Sequence, residues 1–162
     1  MTGDFEGQAS DFWGFATALY ARPGVAALCL DLQDRAGHDV NLLLLSLWAG
    51  EALGLALDDW DLADLAAAVA PWNLRAVHPL RILRRSLKGE PWADTLRARI
   101  GTAELEAERL AQRHLLATLP LRSRGVPSPE LGFANLERYA GSAAALSLSA
   151  LFEAGAAPRP SA

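Results

Sequence analysis

Apolar residues recur along most of this chain at helical spacing, and nowhere do they alternate in the two-residue rhythm of a strand. Behind Ser10, a good N-cap, Phe12, Phe15, Ala16 and Leu19 fall at i, i+3, i+4 and i+7, with Asp11 placed where the helix dipole favours it. Pro23 ends that helix and is well placed as the first residue of a second. There Val25, Leu28, Cys29 and Leu32 share a face, Asp31, Asp34 and Arg35 lie opposite, and Gly37 supplies the stop. A third helix opens at His38 or Asp39 with Val40, Leu43, Leu44 and Leu47 on its main face. Leu42 and Leu45 make it apolar nearly all round, the mark of a helix surrounded by others.

Asp58 or Asp59 is placed to cap a fourth helix whose inward residues are Leu62, Leu65, Ala66 and Val69, and Pro71 ends or kinks it. The fifth, roughly residues 73 to 88, contains Pro79, which either kinks it or starts it with His78 just outside. Gly89 and Pro91 close it. The sixth runs from Trp92 to about Leu119, and Leu96, Ile100, Ala103, Ala107, Leu110 and His114 recur at the spacing of a packed seam. A loop, "PLRSRGVPSPELG", leads to shorter helical pieces around 133–139 and 142–152. The pattern predicts an all-α fold, a compact single-domain bundle of about six helices over residues 10–154. It leaves a flexible N-terminus at 1–9 and a disordered tail at 155–162.

Composition reinforces this reading. Ala and Leu dominate while Ile, Val, Thr and Tyr are sparse. The single cysteine, Cys29, excludes an internal disulfide and a Cys-rich zinc site and suits a reducing compartment. Residues 1 to 10 read as polar and acidic, with no leader pattern. The apolar run from Leu42 to Trp48 is far short of the ~20 residues a membrane span needs, so a cytoplasmic protein with no membrane partner is expected.

Charge changes the picture more. Residues 1–70 hold 2 Lys/Arg against 11 Asp/Glu, whereas residues 71–125 hold 11 against 5. Such asymmetry marks either an acid–base contact within the fold or a basic face reserved for an anionic partner. The basic element is "LRAVHPLRILRRSLK". As one helix it carries Arg75, His78, Arg81, Arg85 and Lys88 down a stripe with Arg84 on its flank, and turns Val77, Leu80, Leu83 and Leu87 to the core. The acidic counterpart is the turn bearing Asp31, Asp34, Asp39 and Asn41, where His38 adds a further possible ligand. Asp31 and Asp34 are neighbours on one helical face and could share a hard cation. They equally form the wet side of an amphipathic helix, with Asp39 at a helix N-terminus, and that reading is preferred. One or two of Arg81, Arg84 and Arg85 are expected to be partly buried against these aspartates, with Arg75 and Lys88 facing solvent.

Catalytic patterns are not found: there is no nucleophile elbow, no Gly-rich phosphate loop and no His-x-x-x-His pair. Cys29 reads as a small buried hydrophobe and His114 as a hydrogen-bonded core histidine. No metal and no cofactor is expected. The five tryptophans, at 13, 48, 60, 72 and 92, sit mostly near helix ends, where a large ring covers the end of a core.

Taken together, "FWGFATALYARPGVAALCLDLQDRAGHDVNLLLLSLW", "PWNLRAVHPLRILRRSLK" and "AELEAERL" resemble an uncharacterised proteobacterial family of short helical proteins, catalogued as a domain of unknown function. The resemblance covers roughly residues 10 to 120 and implies a bacterial cytoplasmic setting. It transfers no catalytic residue. The leading expectation is a non-enzymatic adaptor or regulator whose partner is another protein, with nucleic acid disfavoured by a pI near 5.3. The alternative is a metal-dependent enzyme or binding protein for an anionic, phosphorylated small molecule. There Asp31, Asp34 and Asp39 would hold a cation while Arg81, Arg84 and Arg85 hold the anion. Oligomeric state is open.

Overall fold

The computed structural model describes residues 2–120 and 124–155, and side-chain surroundings over 5–120 and 124–148. Every regular element among them is helical: α1 (Thr2–Tyr20), α2 (Val25–Ala36), α3 (Val40–Glu51), α4 (Asp59–Trp72), a π turn (Asn73–Val77), α5 (His78–Ser86), a 3-10 turn (Pro91–Ala93), α6 (Asp94–Thr118), α7 (Pro129–Ala140) and α8 (Ser142–Gly155). Because α4 runs through the π turn into α5 without a break, these make seven helical bodies, one more than the pattern predicts. α1 begins at Thr2 rather than after Ser10, so residues 2–9 are helical. The tail expected over 155–162 lies outside the described residues apart from Gly155, the last residue of α8.

Contacts between backbones group these helices into two units. One combines the residues up to Leu62 with those from Pro120, and the other runs Ala63–Leu119. The division falls inside α4.

In the discontinuous unit, α3 is the centre. All ten residues from Asn41 to Gly50 are buried, as an all-round apolar helix requires, and α1, α2 and α7 pack on it. Its start is set by Asp39, whose Oδ1 accepts the Leu42 N–H at 3.0 Å. α2 stops at Gly37, which adopts φ 72, and the His38 N–H reaches back to the Leu32 carbonyl, closing a Schellman end. Phe12 of α1 meets Trp48 of α3 with ring centroids 5.2 Å apart.

α7 crosses α3 where both carry glycine. A Cβ on Gly50 would stand 2.5 Å from the Gly132 Cα, and one on Gly132 would stand 2.7 Å from the Leu47 carbonyl oxygen, so only glycine permits this approach. One turn further on, the buried Asn135 ties the chain after α3 in place. Its Oδ1 accepts the Leu57 N–H at 2.9 Å, and its Nδ2 donates to the carbonyls of Leu55 at 2.9 Å and Ser46 at 3.2 Å. Ser128 caps α7 and Asp58 caps α4; Asp58 and Asp61 exchange side-chain bonds to each other's backbone N–H.

The second unit is an antiparallel helical hairpin. The end of α4, the π turn and α5 form one arm, and α6 the other. Its arms are tied by two side chains reaching backbone: Trp72 Nε1 donates to the Ala107 carbonyl at 2.9 Å, and His114 Nε2 lies 3.1 Å from the Ala68 carbonyl. His114 is thus hydrogen-bonded as expected, but at an exposed position rather than in a core.

No single helix among the described residues is long and apolar enough to cross a membrane. α1 and α2 together reach the length and composition, but they meet at 98°.

Candidate functional site: the charged hairpin

Two prolines interrupt the first arm, and neither ends it. Pro71 lies inside α4, and Pro79 stands just past the π turn in the first turn of α5, within a continuous helical arm. Between them the backbone widens into the π turn, with the His78 N–H bonded to the Asn73 carbonyl five residues back. The effect is one of phase. Leu65, Val69, Asn73, Val77 and Arg81 follow one another at steps of four, and in an α-helix each such step turns the face by about 40°. The wider turn takes up the extra residue, so Val77 is buried like Leu65 and Val69, and Arg81 and the nearby Arg84 meet α6.

What they meet is Glu104. This glutamate is only 7% exposed, on the arm whose other buried residues include Ile100, Ala107, Ala111 and Leu115. Arg81 Nε donates to its Oε1 at 3.1 Å and Arg84 Nη2 to the same oxygen at 3.2 Å, while Arg84 Nε donates to Oε2. Arg81 also donates through Nη2 to Glu108, one turn along α6. Burial alone would raise the Glu104 carboxyl, but the hydrogen bonds from Arg84 and Arg81, with their charges, outweigh it and hold the group below the usual carboxylate range. Two cations and two anions thus neutralise one another in an interlocked set between the arms.

This corrects the reading of the basic stripe. The partly buried arginines are Arg81 and Arg84, but the carboxylates paired with them are Glu104 and Glu108 of α6, in place of the expected aspartates. The six basic groups do not share one face either. Arg75, His78, Arg85 and Lys88 are exposed. The α6 seam is displaced as well: Ile100 and Ala107 are buried as expected, whereas Leu96, Ala103, Leu110 and His114 are exposed. Glu104, Ala111 and Leu115 take the buried places, because α6 must turn its glutamate toward the two arginines.

The hairpin also leaves large apolar side chains in water. Leu74 is 68% exposed and Ile82 67%, and Leu83, Leu96, Leu105 and Leu110 are all more than two-fifths exposed. Trp92, at the turn between the arms, is 82% exposed, its indole N–H bonded to Glu90 at 2.8 Å.

In the other unit, the acidic turn serves local structure. Asp31 pairs with Arg35 at 2.7 Å along α2, Asp34 is exposed, Asp39 caps α3, and Asn41 is buried in its first turn. The Asp39 N–H donates to the Tyr139 hydroxyl at 2.9 Å, and the His38 ring lies 5.4 Å from the Tyr139 ring. Burial pushes the Tyr139 phenol up to about 12. Burial likewise raises the Cys29 thiol to about 11, which leaves it protonated and unreactive at neutral pH. Among the described residues, no group of three or more His, Cys, Asp or Glu side chains is placed so as to hold a metal ion.

Glu104 is the residue the sequence reading missed. Its signal was present but split between two helices: arginines at 81 and 84 on one arm, glutamates at 104 and 108 on the other. Against known families, the model described as protein of unknown function (DUF2390) matches residues 11–115, well over half of the chain. Neither the curated proteins nor the solved structures give a match.

Proposed function

We propose that this chain, which belongs to the DUF2390 family, is a non-enzymatic interaction protein that binds another protein through its helical hairpin. One observation carries this reading. Of the ten large apolar side chains that stand exposed among the described residues, seven lie in Ala63–Leu119: Leu74, Ile82, Leu83, Trp92, Leu96, Leu105 and Leu110. That unit is about a third of the chain, and scattered single exposures need no explanation, whereas their concentration in one helical hairpin supports an interaction surface there. A large, two-thirds-exposed aliphatic or aromatic side chain gains little in water and much when a partner covers it. The interlocked Arg81–Glu104–Arg84–Glu108 set supports the same reading from within. It fixes the two arms against each other, so the surface they present is preorganised and a partner loses less entropy on docking.

The test compares wild type with a double variant, Ile82→Asp with Leu96→Asp, as bait for proteins from the native cell. Circular dichroism and the thermal midpoint check that both baits are folded. Retention of a defined protein by wild type and its loss from the folded variant is the expected result. If the two baits retain the same proteins in the same amounts, the hairpin surface is not what binds them and the reading fails.

A further inference from the structure

Resting on the interaction reading above, we infer how that surface is regulated: the hairpin has a second register, reached by straightening the π turn, in which it covers part of its own apolar surface. The arm through the π turn carries two phases. In the observed one Leu65, Val69, Asn73 and Val77 are buried, and Arg81 and Arg84 reach α6. Continued from Leu65 and Val69 as a regular α-helix, the same arm would instead align Ala76, Leu80, Leu83 and Leu87, at steps of seven, four, three and four. That row is apolar throughout, and the observed register leaves it outside the seam. Of the described residues His78–Ser86 none is buried; Leu83 is 48% exposed, and Ala76, Leu80 and Leu87 are half-buried.

α6 carries the matching alternative. Ala103 and Leu110, with Leu96 seven residues earlier, stand one position before the buried Glu104 and Ala111, as Leu80 and Leu83 stand one position before Arg81 and Arg84. In an antiparallel pair, rows with the same offset from the seam lie on the same side, so both apolar rows border one side of the hairpin. Straightening the π turn rotates α5 by about one residue, about 100°, which brings the leucine row into the seam. A smaller turn of α6 meets it with Leu96, Ala103 and Leu110, since the buried Ile100 and Ala107 belong to both seams. Arg81, Arg84, Glu104 and Glu108 move together to the opposite side, where they can stay paired in water. Two features hold the observed register. One is this interlocked ion set between the arms. The other is Pro79, which has no N–H for the Arg75 carbonyl and whose ring would strike that carbonyl in a regular helix. A partner that covers Leu83, Leu96 and Leu110 adds to that side of the balance, whereas the second register withdraws those three side chains and competes with it.

The experiment uses the full-length protein with one reporter thiol, Leu83→Cys or Ile82→Cys, and a maleimide; native Cys29 is buried and adds little background. Ile82 lies about 100° round the helix from Leu83 and keeps to the outer side in both registers. In the wild-type background the two thiols should label within about threefold of each other, both sites being exposed. Pro79→Ala with Glu104→Leu removes both restraints. There Leu83→Cys should slow at least about tenfold against Ile82→Cys, as a site closed about nine-tenths of the time does. As bait, the double variant should retain about tenfold less of the protein that wild type holds. An unchanged ratio of the two labelling rates in a folded double variant overturns the second register and leaves the interaction reading standing. A double variant whose hairpin melts, with both thiols labelling faster, overturns it too, because the second register must fold once its restraints are gone. Slowed labelling with undiminished retention overturns the regulatory role. Slowed labelling with nothing retained by wild type overturns the interaction reading, and the regulation that rests on it, through the bait alone.

Discussion

Replacing Glu104 by leucine tests whether the ion cluster holds the hairpin together. The glutamate accepts three hydrogen bonds from two guanidinium groups in a site almost closed to water. Removing it does not strand both cations equally. Arg81 keeps Glu108, whereas Arg84 loses both of its bonds to Glu104, and at 32% side-chain exposure it recovers part of the loss from water. Breaking a buried ion pair costs about 3–5 kcal/mol, and the residual pairing and hydration place this case near about 3 kcal/mol. With a urea slope of about 2 kcal/mol per molar, the transition of the hairpin should move down by about 1.5 M. Because the chain holds two units, amide hydrogen exchange of α5 and α6 is the sharper assay, and protection there should fall by roughly a hundredfold. The quadruple change Arg81→Leu, Arg84→Leu, Glu104→Leu and Glu108→Leu removes both cations and both anions together. It should recover most of the lost stability, since an apolar set of similar volume escapes the desolvation penalty. A loss below about 1 kcal/mol in Glu104→Leu would refute the argument, as would a quadruple variant less stable than the single one. The pH dependence has a fixed sign. The Glu104 carboxyl is held below its usual value when folded, so its contribution is fully present above the ordinary carboxylate range and is lost as pH falls through the depressed folded value. The wild type and Glu104→Leu should therefore converge in acid.

Three further outcomes follow from the other unit. Gly50→Ala should destabilise by about 3 kcal/mol or more, because the new methyl meets the Gly132 backbone rather than a side chain that can swing away; an unchanged thermal midpoint would contradict that crossing. Asn135→Ala should cost about 3 kcal/mol, since it orphans the buried Leu57 N–H and two carbonyls, and fast exchange at the Leu57 amide is its signature. Tyr139 keeps its proton longer when folded than its ordinary value of 10.0 allows, so its contribution is present below about pH 10 and is lost as pH climbs toward 12; Tyr139→Phe should flatten that alkaline loss in a denaturation series.

Where the pattern of apolar residues is self-contained, it reads through to the structure. The all-round apolar row from Leu42 to Leu47 is central, Gly37 ends α2, and Asp39 and Asp58 cap the helices that follow them. Where the outcome depends on a second helix, it does not. Nothing within α6 distinguishes Glu104 from the glutamates at 106 and 108; its burial is decided by Arg81 and Arg84 across the hairpin. The same contact shifts the seam away from Leu96 and Leu110, and it divides a basic stripe that looks continuous on one helix. Two prolines read as breaks because the rule concerns a regular α-helix, and the chain relieves it with a wider turn. The start of α1 was missed for want of an apolar signal: residues 2 to 9 are mostly polar or small.

That wider turn also separates the length of the arm from its rotation. The five residues Asn73–Val77 occupy a place where a regular helix would fit four, so the chain carries one residue of slack. Deleting Ala76 would remove the slack and leave α5 in nearly its present orientation, with Arg81 and Arg84 still turned to Glu104. The cost would be local, the clash of Pro79 with a tightened backbone, about 3 kcal/mol. Deleting one residue from the regular stretch of α6 before Glu104 has no such refuge. It would rotate one part of that helix against the other by about 100° and part Glu104 from the hairpin seam or from its neighbours on it. Of the two arms, only the one with the π turn can change its length by a residue and keep its partners.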